Sequence, residues 1–374
     1  MNNNTKAKAL FITHDIGNYG ASRSLQLLLR NLCHYDIDLV VRKRINVKKI
    51  SDEEIRSKFG PHICNIYWTY LPFDQCHISM DDYSLKYVVY SYIVLMFWKC
   101  VRRRLMNIIS HGNYDFIHLN SLVLHSIICS DYPFVIHVRE IFDGRSTHVL
   151  NNLNKALGVI FIDESTKEPF GNEVIRNSII LNNPIDMTAT GNCEMFESSV
   201  YDLNPDKHVV FSMVGVMTEK KGTAFVISSF KKIMAVDARL IIVGCGEYNY
   251  VEHCKKMAVN DRRIIFWGEE QDIYKIYAIS DYIIRGEDRQ CVGRTIYEGL
   301  YSGCHVIIPG NENKHDSMFQ YDLFKNSIYF YSPRSECEFV TRLYDLSVKK
   351  ISKRIYRSNI SEYIDSFKNF VKVL

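Results

Sequence analysis

The sequence predicts an α/β protein built from two doubly wound, Rossmann-like domains facing one another across a cleft. Three observations carry this expectation. Short apolar runs alternate with helical patterns through most of the 374 residues, the order that parallel sheets with crossover helices produce. The runs are continuous rather than alternating, as in strands covered on both faces. They also fall into two sets, separated by the polar, aperiodic stretch from Asp186 to His208 that reads as a linker. In such folds ligands sit at the carboxyl ends of the strands.

The elements follow in order. Strands are expected at residues 9–13 (ALFIT), 37–41, 116–120, 133–138 (PFVIHV), 158–162 and 178–181 in the first half. The second half offers 209–215 (VVFSMVG), 240–244, 264–268, 282–286 (YIIRG), 305–310 and 328–331. After the first strand, Leu25, Leu28, Leu29 and Leu32 share one face of a helix whose start Ser22 or Ser24 can cap. Residues 42–84 give no clear pattern. The expected division is 1–186, a linker over 187–207, a second domain over 208–350 and a C-terminal helix over 351–374, with Ile360, Tyr363, Phe367 and Val371 on one face.

Composition is that of an ordinary globular protein, with 47% hydrophobic and 24% charged residues. A net charge of +4 gives no case for nucleic acid. The N-terminal segment lacks a long apolar region and a small-residue cleavage site, so no secretory signal is expected, and no uncharged run reaches the roughly 18 residues that span a bilayer. The eleven cysteines are scattered without C-x-x-C or metal-like spacing, which suits a reduced, cytoplasmic protein without a bound metal. One segment is ambiguous. YVVYSYIVLMFW, residues 87–98, is followed by KCVRRR, so it suits either a core helix or an apolar helix lying at the inner face of a membrane through residues 87–104.

The densest signal lies in the second half. Val214-Gly215 is followed by Lys221-Gly222, then by Val243-Gly244-Cys245-Gly246-Glu247, and then by Gln290 eight positions before Glu298, with Gly293 between them. Asn249 breaks the dinucleotide fingerprint G-x-G-x-x-G. A lysine on a loop after a strand can neutralise a phosphate as a point charge, and a helix opening near Gly293 aims backbone N–H groups at an anion. Each residue also has a plainer reading, Lys221 as a solvated lysine, Glu298 as a helix-surface acid and the glycine pair as a turn.

The order and spacing of these pieces resemble the donor domain of retaining GT-B glycosyltransferases of family four, the glycosyl transferases group 1. The resemblance covers nearly the whole chain, most strongly residues 209–310. It implies that a nucleotide diphosphate sugar is the donor substrate, that no cofactor is needed, and that Gly215, Lys221, Gly293, Arg294 and Glu298 bind the donor, Glu298 through the ribose hydroxyls. It implies that Gly20 and Ala21, in the loop before the first helix, approach the diphosphate, and that His137, at a strand end before Arg139-Glu140, lies beside the sugar. His137, Lys221 and Gln290 are the expected catalytic residues. Two departures stand out: Val216 occupies a position where the family often has arginine, and Gln290 replaces the first glutamate of E-x7-E, with Glu287 as a substitute acid. The resemblance further implies a glycan or lipid-linked glycan acceptor, a role in bacterial surface polysaccharide such as capsule or lipopolysaccharide, and a terminal helix that crosses back to the first domain. The rivals are a non-catalytic GT-B subunit and a GT-B sugar-nucleotide epimerase.

Overall fold

The computed structural model describes residues 6–374 apart from 18, 44–49, 74–84, 143–145, 172–176, 193–202, 290–292, 312–317, 319 and 352–353, and apart from the side chains of 85–88, 90, 91, 191 and 192. The chain divides into two compact units, Met1–Pro184 with Ile360–Leu374, and Ile185–Asn359.

In the first unit the strands are β1 (Lys8–Thr13), β2 (Asp36–Arg42), β3 (Ile63–Thr69), β4 (Phe116–Leu119), β5 (Phe134–Val138), β6 (Gly158–Phe161) and β7 (Ser178–Ile180). They form one sheet in the order β3-β2-β1-β4-β5-β6-β7, parallel throughout. Its helices are α1 (Gly20–Arg30), α2 (Asp52–Phe59), α3 (Leu85–Val101), α4 (Arg103–Gly112), α5 (Thr147–Leu153) and α6 (Glu164–Lys167), with α13 (Ile360–Val373) returning from the chain end. The second unit has β8 (Val209–Val214), β9 (Ala238–Val243), β10 (Ile264–Gly268), β11 (Tyr282–Ile284), β12 (His305–Pro309) and β13 (Ile328–Tyr331), in the parallel order β10-β9-β8-β11-β12-β13. Its helices are α7 (Thr223–Phe230), α8 (Tyr248–Ala258), α9 (Ile273–Ile279), α10 (Arg294–Tyr301), α11 (Tyr321–Phe324) and α12 (Glu336–Leu346).

The continuous apolar runs have the predicted cause. Along β1, Leu10 and Ile12 enter one core while Ala9 and Phe11 enter another on the opposite face. Along β8, Phe211 and Met213 pack on one side and Val210 and Val214 on the other. Burying such a side chain fully contributes about 1.5–3 kcal/mol, so both sheet faces supply the core. Leu25, Leu28 and Leu29 of α1, and Leu32 just after it, lie fully buried as their spacing predicts, and Phe367 of α13 packs its ring 6.1 Å from Phe116 and 6.4 Å from Phe11.

Four features differ from expectation. β3 carries ICNIYWT, whose exposed Cys64 and Asn65 break the apolar run, as an edge strand allows. Ser22 and Ser24 do not cap α1: Tyr19 stands at that position without a side-chain bond, and both serines are buried inside the helix. Within the stretch expected as a linker, Met187 is buried against Tyr277 and Tyr301 in the second unit, and Thr190 is also buried. The apolar segment at 87–98 is helical, as α3, yet Tyr92, Ile93 and Met96 are each more than 60% exposed, while Trp98 turns into the core. Among the described residues no helix is long and apolar enough to cross a membrane.

Candidate functional site

In the second sheet the strand order reverses between β8 and β11, so the loops leaving these neighbours define the crevice where open α/β sheets take ligands. β8 ends at Val214. Gly215 follows with φ +138°, a value that L side chains rarely adopt, and a Cβ there would meet nothing within 4 Å. Val216 is exposed beside it. Thr218 then accepts a bond from the Lys221 amide at 3.3 Å, closing a short 3₁₀ turn, Glu219–Lys221. Gly222, at φ +70°, begins α7 so close to the loop after β11 that a Cβ would lie 1.8 Å from Gly286 O. This backbone contact brings the two loops together.

Their side chains meet across it. Lys221 Nζ donates to Glu287 Oε1 at 3.2 Å, with the lysine side chain 39% exposed. Glu287 also accepts from Arg285, through Nε at 3.0 Å and through Nη2. Arg285 is almost fully buried, and its Nη1 donates to Thr295 Oγ1 at 2.8 Å in the first turn of α10. Burial alone would raise the Glu287 pKa, but the Arg285 guanidinium, then Lys221, outweigh it and hold the carboxyl below its usual value, so it is ionised at neutral pH. Gly293, which caps α10, owes its place to Arg285: a Cβ there would stand 3.2 Å from Arg285 Nη1. In the sequence Arg285 reads as the end of an apolar strand; its signal is a lone cation directly after Ile283-Ile284.

Several predicted site residues have other partners. Glu298 has no exposed surface; its Oε1 accepts from Arg294 Nε at 2.7 Å and its Oε2 from Tyr277 OH at 2.9 Å. Arg294, expected to bind the donor, forms an intrahelical ion pair with Glu298 at the i, i+4 spacing where helical side chains meet. Glu287, expected as a substitute acid that swings to the sugar, is instead fixed between two cations. Gln290 lies outside the described residues. Gly244 and Gly246 serve a close approach between loops, since a Cβ at either would lie 2.0 Å from Gly215 O or 2.2 Å from Met217 O. Asp281 anchors the floor, accepting from the Val210 amide at 2.9 Å and from Lys350 Nζ at 2.7 Å.

In the first unit, His137 is not on a surface. It sits within the body of β5, where both faces are covered, and Arg139 Nη2 donates to its Nδ1 at 3.3 Å, a bond that requires the neutral ring. Burial, then Arg139 and His118, push its pKa well down. His137, expected beside the sugar, is here a buried imidazole bonded to Arg139. Arg139 in turn donates to Asn183 Oδ1 at 2.6 Å and Asn120 Oδ1 at 3.2 Å, and Ser24 Oγ donates to Asn183 at 2.9 Å. This network fixes the start of α1: Gly20 opens the helix at the surface, and Ala21 O accepts from Asn120 Nδ2 at 3.1 Å. Among the described residues no group of three or more His, Cys, Asp or Glu side chains could hold a metal ion.

Two parallel sheets with a central order reversal, each leaving its loops at that reversal, define the GT-B fold. Solved structures agree across the chain. Anabaena HepE in complex with UDP and glucose superposes with a TM-score of 0.70 at 14% identity, covering 98% of this chain and 100% of that one. A glycosyltransferase from Rickettsia africae gives 0.64 at 13%, covering 98% and 94%. The lipopolysaccharide outer core galactosyltransferase WaaB, in its apo form, gives 0.62 at 13%, covering 98% and 99%. Residues 197–313, which hold the Lys221–Glu287 cluster and α10, match the family Glycosyl transferases group 1. The glycogen synthase of Desulfitobacterium hafniense is 27% identical over 84 residues, 22% of this chain and 18% of that protein, so the match spans less than a fifth of that relative.

Proposed function

We propose that this chain is a retaining family-four glycosyltransferase, which moves a sugar from a nucleoside diphosphate sugar to a hydroxyl of a glycan or lipid-linked glycan. The observation that carries the reading is the Lys221–Glu287–Arg285 cluster at the β8/β11 crevice, inside the matched domain and beside the start of α10. As the bond between sugar and diphosphate breaks, negative charge develops on the leaving phosphate. A lysine and α10's first amides, held in place beforehand, stabilise that charge without reorganising. On this reading the acceptor hydroxyl attacks from the face the diphosphate leaves, and a phosphate oxygen helps take its proton. Gly20 and Ala21 would give backbone amides to the diphosphate, and Glu298 would meet the ribose once Arg294 turns aside.

The exposed side chains of α3 support an acceptor at a membrane surface. Val89, Tyr92, Ile93 and Met96 follow helical spacing on one exposed face, and Lys99 and Arg102 to Arg104 continue it with positive charge. This suits a lipid-linked acceptor and a bacterial surface polysaccharide. A second reading, a nucleotide-binding subunit without turnover, draws on the closure of Glu298 against Arg294 and Tyr277 and on the amide at position 290. A panel of nucleoside diphosphate sugars, assayed for nucleotide release with wild type, Gln290→Glu and Lys221→Ala, separates them. Release with at least one donor, lost in Lys221→Ala, supports transfer. Binding without release in wild type, with release gained in Gln290→Glu, favours the subunit. Epimerised sugar nucleotide formed without acceptor would mark an epimerase.

A further inference from the structure

The described part of the crevice holds a buried arginine that the sequence does not mark as a site residue. We propose that Arg285 is the second diphosphate-binding cation of this protein, with Glu287 as the group that positions it; this rests on the reading of the second unit as a nucleoside diphosphate site. One narrow recess is lined by Gly215, Val216, Lys221, Thr223 and Arg285. Its cationic walls are Lys221 and Arg285, whereas residue 216, beside the open edge of Gly215, is apolar. A positive group therefore reaches the recess from the β11 side in place of the residue after Gly215.

Positive groups converge on this recess. Arg294 and Glu298 close on each other as an ion pair. That leaves Lys221 and Arg285 sharing the single carboxylate of Glu287, with Arg285 Nη1 against Gly293 and Thr295, where α10 begins. The first turn of a helix carries partial positive charge, so a guanidinium buried there is unfavourable by itself. Two cations and the start of α10 thus gather round the carboxylate of Glu287. A diphosphate carries the charge that such a set of donors attracts, and a planar guanidinium matches two of its oxygens. Glu287 fixes the Nε and Nη2 edge of Arg285 and so sets the plane of the guanidinium presented to the recess.

The test is calorimetry on the full chain with UDP, GDP, CDP and ADP, continued with the base that binds and its monophosphate. Wild type is compared with Arg285→Lys, Arg285→Met and the double variant Arg285→Met/Val216→Arg, each with its melting temperature without ligand. Arg285→Met is expected to weaken the diphosphate by about ten- to a hundredfold, the range of one charged hydrogen-bond set. The monophosphate loses much less, and Val216→Arg recovers most of the lost diphosphate affinity. A purely structural Arg285 would instead lower the melting temperature, weaken both nucleotides equally and gain nothing from Val216→Arg, and that result overturns the proposal. If Arg285→Met does not fold, Arg285→Lys decides: a diphosphate-selective loss supports the proposal, and unchanged affinity overturns it. Wild type that binds none of the four nucleotides overturns the donor reading itself, and this assignment with it.

Discussion

Lys221 Nζ lies 3.2 Å from Glu287 Oε1, so an ion pair ties the loop after β8 to the loop after β11 at the point where the sheet order reverses. The pair exists because Gly222 and Gly286 allow the two backbones to touch. An alanine at 222 would be strained twice, by its positive φ and by Gly286 O. Gly222→Ala is therefore expected to cost about 1–3 kcal/mol of stability and to weaken nucleotide binding by separating Lys221 from Glu287. Denaturant unfolding and calorimetry on the same variant check both effects; an alanine variant that is unchanged in both would contradict the contact.

Asp281 holds the strand floor beneath this pair. Its carboxylate is fully buried and accepts from two backbone amides and Lys350. Asp281→Asn leaves Lys350 and Arg354 without their counter-charge and should destabilise by about 1–3 kcal/mol, less than a fully buried pair because the lysine side chain is 31% exposed. A shift in the denaturation midpoint measures it.

The pH dependence has two windows. His118 is pushed down to about 3, by burial first and then by Arg139, and His137 also lies well below its ordinary value. Both rings are neutral in the fold, whereas in the unfolded chain they take protons below about 6.5. The unfolded state thus binds more protons, and stability present above that pH falls as pH drops through 6 and 5. Glu287 has the same sign in a lower window: its depressed folded pKa gives stability above about 4.3 that is lost on further acidification. Unfolding free energies measured from pH 7.5 to 4 should therefore slope downwards, and His118→Phe, compared over that range, should flatten the slope.

α3 offers a membrane test separate from the nucleotide. Vesicles of phosphatidylglycerol should bind the protein and vesicles of phosphatidylcholine much less, with binding weakened by salt, since the basic residues act through a screened field. Ile93→Asp with Met96→Asp should abolish co-sedimentation and leave nucleotide affinity unchanged, because both side chains are exposed on the first unit. Vesicle binding that survives the double variant would remove α3 from the account.

The strands were legible because burial on both faces demands uninterrupted apolar residues, as in VVFSMV and LIIV. β3 was not, since an edge strand tolerates Cys64 and Asn65 facing outwards. At the candidate site, the positions of Lys221, Gly293 and Glu298 could be read from spacing, yet their partners could not. Spacing placed Arg294 one turn before Glu298 but did not say that the two would close on each other. Nor does a sequence tell that the His137 ring is fully buried and bonded to Arg139, or that the guanidinium after Ile284 turns inward to Gly293 and Thr295. Those facts depend on which loops touch, and here two glycines 64 residues apart, Gly222 and Gly286, decide it.

Sugar transfer at the Lys221 crevice is tested most directly by release of nucleoside diphosphate from a panel of UDP-, GDP-, ADP- and CDP-sugars, with wild type and Lys221→Ala at equal concentration. Wild type should release nucleotide from at least one donor, with a loss of about a hundredfold or more in the variant, the scale of removing one preorganised charge-stabilising donor. Release that is the same in Lys221→Ala, or no release and no binding with any donor, would contradict it.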